Sequence, residues 1–150
     1  MDIAEIECGW RQFEEYCEIL ADRISLQEGD AIAVLKASRD GGVFLGRMME
    51  LLKGVGVHEL NYSVKETEDG LLIEVIPPFP AGLAKRRVFL LTEIVNSGRV
   101  LNKAVKDLLE YTTNVIIGSI YYREGSVVPI DIQYIHLIKV DRAVRFTPWE

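Results

Sequence analysis

The chain of 150 residues has little of what builds disulfide frameworks or metal centres, with only two cysteines and two histidines. The spacing of Cys8 and Cys17 matches neither a CxxC pair nor a common zinc pattern, so we expect free thiols. His58 and His136 lie far apart in strand-like segments, without evident partner ligands for a shared metal ion. A structural or surface role is expected for both, and no metal site held by protein ligands alone is predicted.

Long apolar runs and basic stripes are also missing. No run of about 18 apolar residues is present, and Asp2, Glu5 and Glu7 stand where a signal peptide would be basic. The formal net charge is −6, and no stripe of lysines and arginines with interleaved aromatic residues stands out. We therefore expect a cytoplasmic protein without a membrane span, a signal peptide or a nucleic-acid partner. The one basic cluster, residues 85–87, is interpreted as the solvated start of a strand.

What the chain does contain is the pattern of one α/β domain. Hydrophobic residues make up 49% of the sequence, enough for one sizeable core, and the length is too short for two ordinary domains. Apolar residues at spacings of three and four predict an N-terminal amphipathic helix with Trp10, Phe13, Cys17, Leu20 and Ile24 on one face. Strands are predicted at residues 31–35, 57–64, 71–76, 88–91, 115–121 and 134–140, with helices after Gly42 and Gly98. Residues 1–150 are therefore predicted to form a single α/β domain with a mostly parallel central sheet flanked by helices.

Residues 87–101 combine a strand, an acid, a turn and a helix. Residues 88–91 form an unbroken apolar run, typical of a strand buried on both faces, and Glu93 is expected to leave its end. Asn96 and Ser97 are good N-cap residues, and Gly98 allows close backbone approach. Free N–H groups at a helix start favour an anion. We therefore predict that a phosphate binds at this turn, with Glu93 near a ribose hydroxyl or a Mg²⁺ ion.

A second strand, loop and helix lie at residues 31–52. The loop between the apolar strand and the apolar helix reads Lys36, Ala37, Ser38, Arg39, Asp40, Gly41 and Gly42. Glycines in a tight loop turn successive N–H groups inward, and an arginine adds a bidentate donor for phosphate oxygens. A second anion site is therefore predicted here, although a plain strand-to-helix turn with a solvated arginine explains the same residues.

Residues 88–101 resemble the phosphoribosyl-pyrophosphate signature of the type I phosphoribosyltransferases, in which a strand with two adjacent acids leads into a Thr/Ser-Gly turn. The positions that fit are Leu90, Leu91, Glu93, Ile94, Val95, Ser97, Gly98 and Leu101. Thr92 replaces the first acid, and Val100 replaces the last threonine. Asn96 stands where purine-salvage members usually carry an aspartate. The resemblance is nearest to the purine branch, of the xanthine-guanine and hypoxanthine type.

Two further segments support this resemblance. Residues 38–42 resemble the Ser-Arg-Gly-Gly pyrophosphate loop of xanthine-guanine members, with Asp40 inserted or substituted. Residues 145–150 resemble the Phe-Pro-Trp-Glu ending of the same branch, with Thr147 inserted, and Trp149 is interpreted as packing on the core. The base-stacking position of those relatives falls here on Ala143, and their base-contacting lysine falls near Arg123.

The resemblance implies a type I phosphoribosyltransferase fold and transfer of a phosphoribosyl group, with Mg²⁺, to a nucleobase of the purine class. It implies phosphate binding by Asn96, Ser97, Gly98, Arg99 and Val100, pyrophosphate binding by Ala37, Ser38, Arg39, Asp40 and Gly41, ribose binding by Thr92 and Glu93, and base binding by Arg123, Ala143 and Val144. In catalysis, Glu93 would hold ribose hydroxyls and Arg39 would neutralise pyrophosphate charge. Asn96 would occupy the proton acceptor's position, although an amide cannot serve as a base. A homodimer is also expected.

Two other functions stay open. A regulatory protein that binds phosphoribosyl pyrophosphate or a nucleotide without turnover would keep the phosphate sites and lack the chemistry. An unrelated α/β binding domain would match these loops by chance. Residues 63–70, which are polar and end in glycine, fit either a lid that closes over the reacting centre or an ordinary hairpin tip.

Overall fold

The structure is a computed structural model, and it describes residues 5–37, 41–129 and 131–147. Three α-helices and eight strands lie in these ranges. In chain order they are β1 (Ile6–Cys8), α1 (Trp10–Arg23), β2 (Ala31–Lys36), α2 (Gly41–Lys53), β3 (Val57–Thr67), β4 (Gly70–Val75), β5 (Arg87–Val95), α3 (Arg99–Leu109), β6 (Asn114–Arg123), β7 (Gln133–Val140) and β8 (Val144–Phe146). A single 3-10 turn, Ala81–Leu83, precedes β5.

Six of the strands form the central sheet, in the order β4-β3-β2-β5-β6-β7. All neighbours are parallel except β3 and β4, which form an antiparallel hairpin. The prediction of a mostly parallel sheet flanked by helices is therefore confirmed. β1 and β8 pair separately, with Ile6 opposite Val144. The sequence analysis missed these two strands because three residues are too few to show an alternating pattern.

The core occupies both faces of the central sheet. On one face α1 and α2 bury Phe13, Cys17, Leu20, Leu45 and Met49. On the other face α3 buries Leu101, Ala104, Val105 and Leu108 against the central strands. β5 lies between these layers with residues 88–95 all buried, which explains why its sequence shows no alternation of apolar and polar residues.

The basic cluster at residues 85–87 differs from its interpretation as a solvated strand start. Arg87 forms an ion pair with Asp30 at 2.6 Å, and the Asp30 side chain is only 6% exposed. This hydrogen-bonded arginine lowers the pKa of the Asp30 carboxyl. The Arg86 guanidinium donates to the carbonyl oxygens of Gly29 and Asp30, both at 2.8 Å. The two arginines therefore tie the start of β5 to the turn before β2, and their partners lie more than 50 residues away in sequence.

The cysteines and histidines lie where the sequence analysis expected them. Cys8 and Cys17 are free and buried, and burial raises the pKa of the Cys17 thiol to about 12. His58 lies in β3 and His136 in β7. Within residues 5–37, 41–129 and 131–147, no three side chains of His, Cys, Asp or Glu are grouped as metal ligands. In the same residues, no helix is long and apolar enough to cross a membrane.

Candidate functional site

A cleft of about 160 Å³ opens at the carboxyl ends of β2 and β5. We call it the first cleft, and its lining residues are Leu35, Ala37, Thr92, Glu93, Ile94, Val95, Asn96, Ser97, Gly98, Val100 and Leu101. Ligands of open parallel sheets bind at this edge, since the loops that follow the strands converge there. The cleft therefore brings the 92–101 segment together with Ala37, which belongs to the second predicted anion-binding loop.

Hydrogen bonds to its carbonyl oxygens hold the turn between β5 and α3 in position. The Ser126 hydroxyl lies within hydrogen-bonding distance of the carbonyl oxygens of Val95 (3.1 Å), Asn96 and Arg123 (2.6 Å). The Val127 N–H donates to the carbonyl oxygen of Ser97 at 3.0 Å. Residues 126 and 127 therefore engage the carbonyl oxygens of the turn.

Gly98 lies at the narrowest point of this turn. Its φ of +88° is in the left-handed region, and a Cβ atom there would lie 1.9 Å from the carbonyl oxygen of Val127. The Asn102 side-chain amide donates to the carbonyl oxygens of Gly98 (2.6 Å) and Val127 (2.7 Å). The sequence analysis predicted close backbone approach at this glycine, and the approaching group is the chain's own backbone.

The N-cap prediction for α3 was wrong. Gly98 occupies the N-cap position, and no side chain caps the helix. The Ser97 hydroxyl accepts only a long hydrogen bond, 3.3 Å, from the Arg99 N–H. In the described residues, the N–H groups of Ser97, Gly98, Val100 and Leu101 have no protein acceptor. Such a helix start attracts an anion because unpaired N–H groups and the helix dipole both carry partial positive charge.

Glu93 lies within β5, not beyond its end as expected, because pairing with β6 continues through Ile94 and Val95. The residue is 7% exposed. A Cβ atom on Gly41, the first residue of α2, would lie 2.5 Å from Glu93 Cδ and 2.7 Å from Oε1. The bare backbone of Gly41 therefore packs directly against the carboxylate. This contact joins the two predicted anion-binding segments, which are 52 residues apart.

Thr92 stands where the resembled signature has its first acid. Its side-chain hydroxyl lies 3.3 Å from the carbonyl oxygen of Ile94 and 3.5 Å from Glu93 Oε2. The residue is 6% exposed. Thr92 thus directs its one hydroxyl proton toward acceptors of its own strand, and it adds no negative charge to the cleft.

The three predicted base-binding residues do not line the first cleft. Arg123 ends β6 opposite Val140, and its carbonyl oxygen accepts the Ser126 N–H. The carbonyl oxygen of Ala143 accepts the Ile6 N–H at 2.9 Å. Val144 is 4% exposed and belongs to the core beside α1. Their role in binding a base stays a prediction.

Several predicted residues lie outside the described part of the chain. Ser38, Arg39 and Asp40 of the second anion site are among them, as are residues 148–150. Residues 63–70 form the tip of the β3–β4 hairpin, where the Thr67 hydroxyl donates to the carbonyl oxygen of Gly70 at 2.8 Å. Closure of this hairpin as a lid stays a prediction.

The sequence analysis missed the three residues that shape the turn, namely Asn102, Ser126 and Val127. Ser126 and Val127 lie about 30 residues beyond the turn, in a segment without a regular pattern. Asn102 carried a weak signal, because an asparagine in the first turn of an amphipathic helix tends to bond to nearby backbone groups.

No family model and no curated protein matches the chain. Solved structures do match. The purine phosphoribosyltransferase of Pyrococcus horikoshii Ot3 has a TM-score of 0.77 at 18% identity, covering 97% of this chain and 94% of that chain. The xanthine-guanine-hypoxanthine phosphoribosyltransferase of Helicobacter pylori has a TM-score of 0.70 at 19% identity, covering 97% and 92%. A hypothetical protein from Neisseria gonorrhoeae with bound ppGpp has a TM-score of 0.73 at 16% identity, covering 97% and 90%.

These likenesses extend over nearly the whole chain, and at such identities they establish the fold. The first cleft lies at the carboxyl ends of the parallel strands β2 and β5. The chain therefore has the type I phosphoribosyltransferase fold, in the form found in purine phosphoribosyltransferases.

Proposed function

We propose that the protein transfers a phosphoribosyl group from phosphoribosyl pyrophosphate to a purine base and releases pyrophosphate. The observation that carries this proposal is the turn at residues 96–100. Its carbonyl groups are held by Ser126 and Val127, while the N–H groups of Ser97, Gly98 and Val100 are left without protein acceptors among the described residues. The names of the similar solved structures, which include purine phosphoribosyltransferases, support the same reaction.

In this proposal the substrate lies across the first cleft. The 5′-phosphate binds the N–H groups of residues 96–100, and the pyrophosphate binds residues 37–41, where Arg39 offsets its charge. Glu93 and Thr92 face the ribose hydroxyls between these two groups. In the reaction the bond from the anomeric carbon to the pyrophosphate oxygen breaks, a bond to a ring nitrogen of the base forms, and the proton of that nitrogen passes to water or to the departing pyrophosphate.

The residues present fit a Mg²⁺ ion that arrives with the substrate. Mg²⁺ commonly binds one or two carboxylates, substrate phosphates and several waters. Glu93 supplies one buried carboxylate, whereas Thr92 supplies none. Such an ion would offset negative charge on the departing pyrophosphate. Glu93 itself would position ribose hydroxyls or a water of the ion.

Regulatory binding without turnover is the second candidate function. One observation favours it: the acid pair of the signature is reduced to Glu93, and the Thr92 hydroxyl is directed to its own strand. Asn96 lines the cleft with an amide, which cannot accept the proton of a base. A similar solved structure contains bound ppGpp, which shows that this fold can hold a guanine nucleotide.

Two measurements separate the candidate functions. Calorimetry with phosphoribosyl pyrophosphate, in Mg²⁺ and in chelator, reports binding. Pyrophosphate release with guanine, xanthine and hypoxanthine reports transfer. We expect binding that depends on Mg²⁺ and weakens at least tenfold in Glu93→Gln, a loss of about 1.4 kcal/mol. Glu110→Gln removes the same charge just beyond the far end of α3 and serves as the control.

Each outcome assigns one function. Release of pyrophosphate with one of these bases supports transfer. Binding without release from any of them supports the regulatory function. No binding of phosphoribosyl pyrophosphate contradicts the proposed transfer reaction. If phosphoribosyl pyrophosphate binds with equal affinity in Mg²⁺ and in chelator, Mg²⁺ has no role in substrate binding. We also propose that the protein is cytoplasmic and forms a homodimer, and light scattering of the purified chain would test the dimer.

A further inference from the structure

A second depression, which we call the outer groove, lies on the other side of the phosphate turn. Its volume is about 650 Å³, within the range of small-molecule sites. The β3–β4 hairpin forms one wall, and the start of α3 with the segment after β6 forms the other. The lining residues are Leu71, Ile73, Ser97, Arg99, Asn102, Gly125 and Val127. The two hairpin residues that line this groove, Leu71 and Ile73, have no role in the resemblance or in the proposed function.

The two walls of the outer groove carry exposed apolar side chains. Leu71 is 40% exposed on the hairpin, and Val127 is 67% exposed on the opposite wall. Ile73 shares a face of β4 with Leu71, since side chains two residues apart in a strand point to the same side. Apolar groups on both walls favour a flat, apolar body between them, because its burial removes apolar surface from water.

The groove also carries a cationic side chain. Among the described residues that line it, Arg99 is the one that is charged, although the whole chain has a net charge of −6. In the described part of the chain, the Arg99 guanidinium has no ion pair or hydrogen bond. The Asn102 amide and the Ser97 hydroxyl add neutral polar groups at the same end. The polar end therefore suits an anion, and a guanidinium binds phosphate oxygens through two parallel hydrogen bonds.

We propose that the outer groove is a second binding site, for a purine nucleotide whose base lies between Leu71 and Val127 and whose phosphate faces Arg99. A nucleotide combines the flat body that the walls favour with the anion that the polar end favours. The site is separate from the first cleft, and among the described residues Ser97 is the one that lines both. Each chain therefore holds two nucleotides when both sites are filled.

The test compares two neighbouring leucines on β4. Leu71→Asp places an acid on the wall of the groove, where it repels a phosphate and removes apolar surface. Leu72→Asp makes the same change one residue later, on the opposite face of the strand, where the leucine is 44% exposed and does not line the groove. GMP is titrated into the wild-type chain and both variants by calorimetry, with and without saturating phosphoribosyl pyrophosphate and Mg²⁺.

We expect two GMP molecules per wild-type chain, of which phosphoribosyl pyrophosphate displaces one. In Leu71→Asp the GMP that is not displaced should bind at least tenfold more weakly, whereas Leu72→Asp should match the wild type. One GMP per chain in all three proteins, displaced by phosphoribosyl pyrophosphate, overturns the second site and leaves the proposed function in place. A single GMP that phosphoribosyl pyrophosphate does not displace and Leu71→Asp weakens supports the second site and contradicts the proposed function. If GMP binds equally more weakly to Leu71→Asp and Leu72→Asp, the proposal that a nucleotide binds in the outer groove is overturned.

Discussion

The phosphate end and the base end of the proposed substrate site are built from different chemistry. At the phosphate end, the proposal assigns binding to backbone N–H groups of residues 96–100, and a hydroxyl, an amide and a neighbouring backbone segment hold this turn in position. At the base end, the positions that carry an aspartate and an aromatic ring in purine relatives hold Asn96 and Ala143. Binding by backbone groups tolerates substitution of side chains, whereas proton transfer and stacking depend on them. Substrate binding should therefore be better preserved than turnover.

The largest expected effect is a higher transfer rate when residue 96 is changed to the aspartate that purine relatives carry there. Asn96→Asp supplies a carboxylate that can accept the proton of the base, and a positioned general base contributes about 10² to 10⁴ in rate. Pyrophosphate release with a purine base should rise by about 10²-fold. Asn114→Asp adds the same charge at the start of β6, at the opposite edge of the sheet, and should leave the rate unchanged. A lower rate in Asn96→Asp would show that the amide is adapted to another base.

At the phosphate end, we expect a substitution of Gly98 to weaken substrate binding most. Gly98 and Gly125 have φ values of +88° and +86°, so an alanine at either position costs about 1–2 kcal/mol of backbone strain. Only at Gly98 would the new Cβ meet the backbone of Val127, whereas Gly125 has open space around it. Gly98→Ala should therefore bind phosphoribosyl pyrophosphate at least tenfold more weakly than Gly125→Ala in calorimetry. Equal affinities would contradict the role of this turn.

The contact between the two anion-binding segments is tested at Gly41. A Cβ atom there would displace the Glu93 carboxylate, while one at Gly46, also in α2, would meet Val34 Cγ2 at an ordinary 3.4 Å. Alanine favours the helix at both positions by up to about 1 kcal/mol. Gly41→Ala should bind phosphoribosyl pyrophosphate about fivefold more weakly and depend less on Mg²⁺. If Gly46→Ala shows the same loss by calorimetry, the loss belongs to α2 and not to Glu93.

Behind the phosphate turn, the expected effect is on stability and not on substrate binding. The buried Tyr62 hydroxyl of β3 donates to Asp107 of α3 at 2.8 Å, and Asp107 also pairs with Lys103 at 2.8 Å. Burial and the aspartate raise the pKa of Tyr62, so it stays protonated and keeps donating. Tyr62→Phe should lower the free energy of unfolding by about 1–2 kcal/mol in urea titrations. Tyr111→Phe, at a half-exposed ring, should change little. Equal stability of both variants would mean that the hydrogen bond adds nothing.

Several parts of the fold follow from local sequence patterns. The apolar runs at residues 31–35 and 88–91 predicted buried parallel strands, and the spacing of Phe13, Cys17 and Leu20 predicted α1. Strand ends were less predictable, because β5 continues through Glu93 only by pairing with β6. The ion pair of Arg87 with Asp30 was interpreted as solvated charge, since nothing local indicates a partner 57 residues away.

The sequence by itself determined the fold class, the order of the elements and the presence of two glycine-containing loops after buried strands, because these depend on periodicity and on residues close together in the chain. Tertiary structure alone decided that Gly98 faces Val127, that Gly41 packs on Glu93, and that Ser126 holds the turn from its carbonyl side. It also formed the outer groove between segments more than 20 residues apart. The physical reason is that such contacts depend on the positions of whole strands and helices in the packed domain, and no local pattern of residues specifies those positions.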